Sequence, residues 1–123
     1  MTTTTSPAVA LRNAELLLDG SHGAAGGSAR LAAFLARQAL EELVIERCVA
    51  LGVDIERPSM RSRLVILRSL DTDENADAAA MAWNRLSNAC HHHAYELAPT
   101  VDEVRHLCGV VAILLNGEWL QIQ

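Results

Sequence analysis

The sequence contains no lysine, so every one of its 10 basic residues is arginine. An all-arginine set is what a GC-rich genome encodes, and an actinobacterium or its phage is the natural expectation. The 15 acids outnumber the bases, leaving a formal charge of −5. Domains that wrap nucleic acid through their overall field are usually basic, so no DNA partner is expected. Aromatics are almost missing too: two tryptophans, one tyrosine and one phenylalanine. A stacking platform for single strands is therefore excluded, and the core must be Leu, Val, Ile and Ala. β-branched residues are sparse beside Ala and Leu, which favours helix.

The few cysteines, Cys48, Cys90 and Cys108, lack CxxC spacing, and each falls in an apolar helical pattern. They read as small buried hydrophobes in a reducing cytoplasm. The N-terminal MTTTTSP has neither a basic nor an apolar region, so no signal peptide is read there. The longest apolar run, Val110 to Leu115, is far too short to cross a bilayer. The expectation is a cytoplasmic protein with no membrane contact. Neither GxSxG, a Walker loop nor HExxH occurs.

What is present is one domain of 123 residues, half of them hydrophobic. It is predicted to span residues 6–117, between a disordered Thr-rich tail at 1–5 and a C-terminal tail at 118–123. Trp119, Leu120 and Ile122 in that tail are placed to dock on the core or on another subunit. Ser6 and Pro7 open a first helix that ends at Gly20. GSHGAAGG, residues 20–27, reads as a flexible loop and matches no phosphate-binding fingerprint. Ser28 is expected to cap a second helix running to about Leu51, with Gly52 as its stop. Leu31, Phe34, Leu35, Leu40, Leu43, Val44 and Ile45 cover more than half of its circumference. Such a helix is central or lies at a subunit interface.

Ser59 caps a third helix to about Leu70, with Met60, Leu64, Leu67 and Leu70 as its buried stripe. Arg57, Arg61, Arg63 and Arg68 make this the one basic patch of an acidic chain. It is either a solvated face paired with acids elsewhere or a phosphate contact. Asp71 with Glu74 reads as the capping pair of a fourth helix to about Leu97, where Pro99 stops it. That helix would be about 37 Å long against about 35 Å for the second, so an antiparallel pair is expected. Thr100 with Glu103 is a capping box for a fifth helix that closes at Asn116 and Gly117.

The fourth helix carries the chemistry. Ala79, Trp83, Leu86, Cys90, His93 and Leu97 recur at 4-3-4-3-4 spacing and face the core, His93 included. Arg85, Asn88, His92 and Glu96 form a polar stripe. An unbroken helix would aim Arg85 and His92 the same way, about 10 Å apart along the axis. His91 lies to one side, near Ser87 and Tyr95. By default such a stripe is a solvated face. Its content, however, is a fixed cation, an amide and an imidazole. A cation and a proton carrier suffice for metal-independent RNA cleavage, because the 2′-hydroxyl supplies the nucleophile. Adjacent helical residues point about 100° apart, so His91, His92 and His93 cannot share one ion, and neither metal nor cofactor is expected.

The second helix reads LAAFLARQALEELV and the fourth AWNRLSNACHHHAYELAPT. Over about residues 28–105 these resemble the HEPN domains of prokaryotic conflict and toxin–antitoxin systems. The resemblance implies a four- to five-helix all-α up-and-down bundle, commonly a homodimer. Active members carry Arg, then four to six residues, then His on a late helix; here Arg85 precedes His91 by five intervening residues and His92 by six. Their polar residue directly after Arg is replaced here by Leu86, with Asn88 as substitute. The family further implies one RNase site where two motifs meet at a dimer interface, assisted by an earlier helix, here Glu41 or Glu42. Tyr95 is a further supporting candidate. RNA and a protein partner such as an antitoxin are the implied partners. The rival reading is a non-catalytic dimerisation or adaptor module with structural histidines.

Overall fold

The computed structural model describes residues 6–20, 25–53, 58–91 and 99–116. Within them the protein is all-helical, in five elements: α1 (Pro7–Asp19), α2 (Ala25–Ala50), α3 (Met60–Leu70), α4 (Asp73–Cys90) and α5 (Val101–Leu115). The two tails, residues 1–5 and 118–123, lie outside the described residues. No described helix is long and apolar enough to cross a membrane.

Local chemistry sets most of the ends. Ser6, Ser59, Thr72 and Thr100 are the N-caps, and each side-chain oxygen accepts from a backbone N–H three residues on. Gly52 closes α2 with φ +88°. Its N–H donates to Val49 O at 2.9 Å and the N–H of Val53 to Cys48 O at 3.0 Å. This pair of bonds is a Schellman closure, which needs a residue tolerant of positive φ.

Three boundaries depart from the sequence expectation. α2 begins at Ala25 rather than at Ser28, so part of the glycine-rich segment is helical. Asp71 does not cap α4; Thr72 does, and Asp71 turns inward. α4 ends at Cys90, where His91 adopts extended backbone (φ −72°, ψ 139°), so a helix unbroken to Leu97 is excluded. With 18 residues against 26, α4 is about 27 Å long and α2 about 39 Å, not equal in reach.

α2 is the central element and touches all four others, most extensively α1. It runs antiparallel to α4, since Arg30, Arg37 and Arg47 meet His91, Ser87 and Asp71 in turn. Its inner face is Ala29, Ala32, Ala33, Ala36 and Ala39, all 0% exposed, followed by Leu40, Leu43 and Val44. Leu31 and Phe34, on the part of the apolar surface that faces outward in the single chain, are 49% and 44% exposed. Apolar residues surround α2, so the pattern could not say which side faces inward, and the alanines win because they let neighbouring helices approach closely. The largest enclosed side chains are Leu40, Leu67, Leu86 and Leu107, with Val44, Val104 and Val111. The core is thus aliphatic, as the composition requires.

Candidate functional site

Arg85 and Asn88 stand on the last two turns of α4, one turn apart and exposed. His91 follows as the C-cap, its N–H reaching Ser87 O and Asn88 O at 3.3 Å each. The last carbonyls of a helix lack partners within it. Here the His91 carbonyl accepts from the Nη1 of Arg30 on α2. The guanidinium therefore fixes the extended turn that ends α4.

These four residues line one open cleft of about 250 Å³, together with Ala89, Pro99 and Glu103. The cleft lies between the N-terminal half of α2, the end of α4 and the start of α5. Two guanidiniums, an imidazole and an amide meet there with a single carboxylate, so it is locally basic in a chain of charge −5. It is smaller than the roughly 300–1,000 Å³ usual for whole small-molecule ligands. A groove of about 550 Å³ at the other end of α4, lined by Thr72, Asp73, Glu74, Asn75, Ala78, Ile113 and Leu114, is acidic and apolar instead.

Other cations near α4 are held structurally. Arg37 donates from Nε to Ser87 Oγ at 2.9 Å and lies 4.1 Å over the Trp83 ring. Arg47, Arg68 and Arg105 are ion-paired with Asp71, Asp77 and Asp19, each at 2.8 Å, and none of the three lines the cleft.

The sequence-predicted residues divide accordingly. Arg85, Asn88 and His91 come together. His92, Tyr95 and Arg57 lie outside the described residues, as do His93, Glu96 and Leu97. The alignment of His92 with Arg85 assumed an unbroken helix; extended backbone at His91 removes that basis and leaves His91 as the histidine beside Arg85. Glu41 and Glu42 do not line the cleft. Of the basic patch, Arg68 is paired with Asp77, and Arg61 and Arg63 stand on α3 beside the far half of α2.

Sequence reasoning missed Arg30 and Glu103. Arg30 is 61 residues from His91, and Glu103 had been read only as a capping residue. A weak signal existed in that Arg30 and Arg37 lie one heptad apart on a single polar edge of α2.

The thiols stay protonated. Burial pushes Cys90 up, against the opposing effect of Arg37 and Arg30. Burial likewise raises Cys48, and it carries Cys108 up to about 12 with help from Glu15. None is poised as a nucleophile. Among the described residues no group of three His, Cys, Asp or Glu side chains gathers in a way that could hold a metal ion.

No family model, curated protein or solved structure matches this chain.

Proposed function

We propose that this chain is a HEPN-like helical domain that binds RNA and cleaves it without a metal, with the cleft at the end of α4 as its site. One observation carries the reading: Arg85 and His91, with five residues between them at a helix end, line a single cleft with Asn88 and a second guanidinium from α2. Arg85 and Arg30 present planar donors to the non-bridging oxygens of a phosphodiester and stabilise the charge that grows there. Asn88 orients the same group. His91 brings the imidazole, the side chain suited to carrying a proton to or from the reacting oxygens. The 2′-hydroxyl of RNA attacks its own phosphate and leaves a 2′,3′-cyclic product. A homodimer that brings two clefts together, in a defence or toxin–antitoxin setting with an antitoxin-like partner, is part of the proposal.

The test is incubation of mixed RNA with chelator and the wild-type, Arg85→Ala or His91→Ala chain. The expected outcome is cleavage by the wild type and a loss of about 100-fold or more in each variant. Equal cleavage in all three would show that the activity lies elsewhere.

A second reading is a non-catalytic dimerisation or adaptor module. It is favoured by apolar side chains left on the outer faces of α1 and α2: Leu16, Leu31, Phe34 and Val49 are each 44–56% exposed. No cleavage by the wild type, together with a stable dimer by light scattering that Phe34→Glu dissociates, would select it.

A further inference from the structure

We infer that Glu103 and His91 form a two-residue acid–base pair in this cleft, Glu103 accepting a proton from the 2′-hydroxyl and His91 donating one to the leaving oxygen. The inference rests on the RNA-cleavage reading above. Transesterification moves two protons at once, one off the attacking oxygen and one onto the departing oxygen. A single imidazole serves only one of them in a given step. Apart from the guanidiniums, His91 and Glu103 are the titratable side chains on the described cleft wall.

They arrive from different elements, which is why no local motif shows them. His91 is the C-cap of α4, and Glu103 stands in the first turn of α5. The backbone N–H of Glu103 donates to Thr100 Oγ1 at 3.0 Å, which anchors this residue in the first turn. The division of labour follows from chemistry. A carboxylate near neutral pH accepts protons, guanidiniums only donate hydrogen bonds, and an imidazole is the group able to hand over a proton. The charged groups around Glu103 are Arg30 of α2, Arg85 and His91 of α4, and Asp102, His106 and Arg105 on α5 itself, the last tied to Asp19 of α1.

The step balances. The O2′–P bond forms as the 2′-hydroxyl proton passes to the Glu103 carboxylate. The P–O5′ bond breaks as the His91 imidazolium gives its proton to O5′. The products are a 2′,3′-cyclic phosphate and a 5′-hydroxyl, with no redox change and no co-reactant.

The experiment compares the full-length wild type with Glu103→Gln, Glu103→Asp and His91→Ala in chelator across pH. Two substrates are used: an oligoribonucleotide and a ribonucleoside 3′-(4-nitrophenyl phosphate), whose nitrophenolate departs without a proton. E103Q is expected to lower kcat/KM on both by about 100-fold and to remove the acid limb of the pH profile. E103D, with a shorter carboxylate, keeps that limb at reduced rate, which separates chemistry from misfolding. H91A is expected to lose a similar factor on the oligoribonucleotide yet cleave the nitrophenyl ester within a few-fold of wild type. E103Q cleaving RNA within about twofold of wild type with both limbs intact would overturn the pair and leave the cleavage reading standing. Equal losses by H91A on both substrates would overturn its role as proton donor. A wild type that cleaves neither substrate overturns the cleavage reading and the pair with it.

Discussion

Asp71 has a side chain with 0% exposure, and it is surrounded by donors. Arg47 reaches it from Nε at 2.8 Å and from a terminal nitrogen at 3.4 Å; Asn75 Nδ2 adds 2.8 Å and the Thr72 N–H 2.7 Å. This one carboxylate ties α2 to the α3–α4 corner. Breaking a buried pair by removing one partner leaves the other desolvated and costs about 3–5 kcal/mol. Asp71→Ala should therefore lower unfolding free energy by about that amount in urea titrations followed by circular dichroism. The exposed pair Arg68–Asp77 should contribute little, and Arg68→Ala should leave the urea midpoint almost unmoved. Gly52 offers a separate test. A Cβ there would meet nothing within 4 Å, so any cost of Gly52→Ala comes from its φ of +88° alone. A loss of about 1–2 kcal/mol is expected.

At the scale of elements, α2 depends on having almost no side chain on its inner face. Ala32 and Ala36 are fully enclosed. Ala36→Leu should overpack the centre and cost about 1–3 kcal/mol or more, with a broadened thermal transition in calorimetry. The end of α4 depends on a contact from α2. Arg30→Ala removes the donor to the His91 carbonyl. Amides in the last turn of α4 should then exchange several-fold faster with deuterium while those of its first turn keep their protection. Three of the five helices could be bounded from caps and stops alone, because Ser6, Ser59, Thr100 and Gly20 act through bonds three or four residues long. The other two could not. α2 already begins at Ala25, inside the glycine-rich segment, and α4 is capped by Thr72 and ends at Cys90.

At the scale of the whole molecule, a chain of charge −5 carries a small basic cleft among its described residues, and the proposed RNA cleavage would use it. Two guanidiniums engaging phosphate predict a salt slope of about −1.4 for single-stranded RNA, falling to about −0.7 in Arg85→Ala, measurable by fluorescence anisotropy. Alkaline stability carries a second signature. Cys108 remains protonated in the fold up to about 12, whereas its ordinary value is 9.0. Between those limits the unfolded chain has lost a proton that the folded chain keeps. Stability is thus intact below pH 9 and declines as pH rises toward 12. Cys108→Ala should flatten that decline, as read from urea midpoints at successive pH values.

Part of this protein was settled by its sequence alone. Helical content, an aliphatic core, the caps Ser6, Ser59 and Thr100, and the shared face of Arg85 and Asn88 follow from short-range hydrogen bonds, residue spacing and composition, whereas spacing alone put His92 rather than His91 beside them. The tertiary structure alone decided which side of α2 turns inward, where α4 stops, and that the Asp71 side chain binds Arg47 rather than opening α4. It alone brought Arg30 and Glu103 to the cleft. Each of these depends on groups brought together from different helices, and a linear pattern carries no record of which distant partner an exposed-looking side chain will meet.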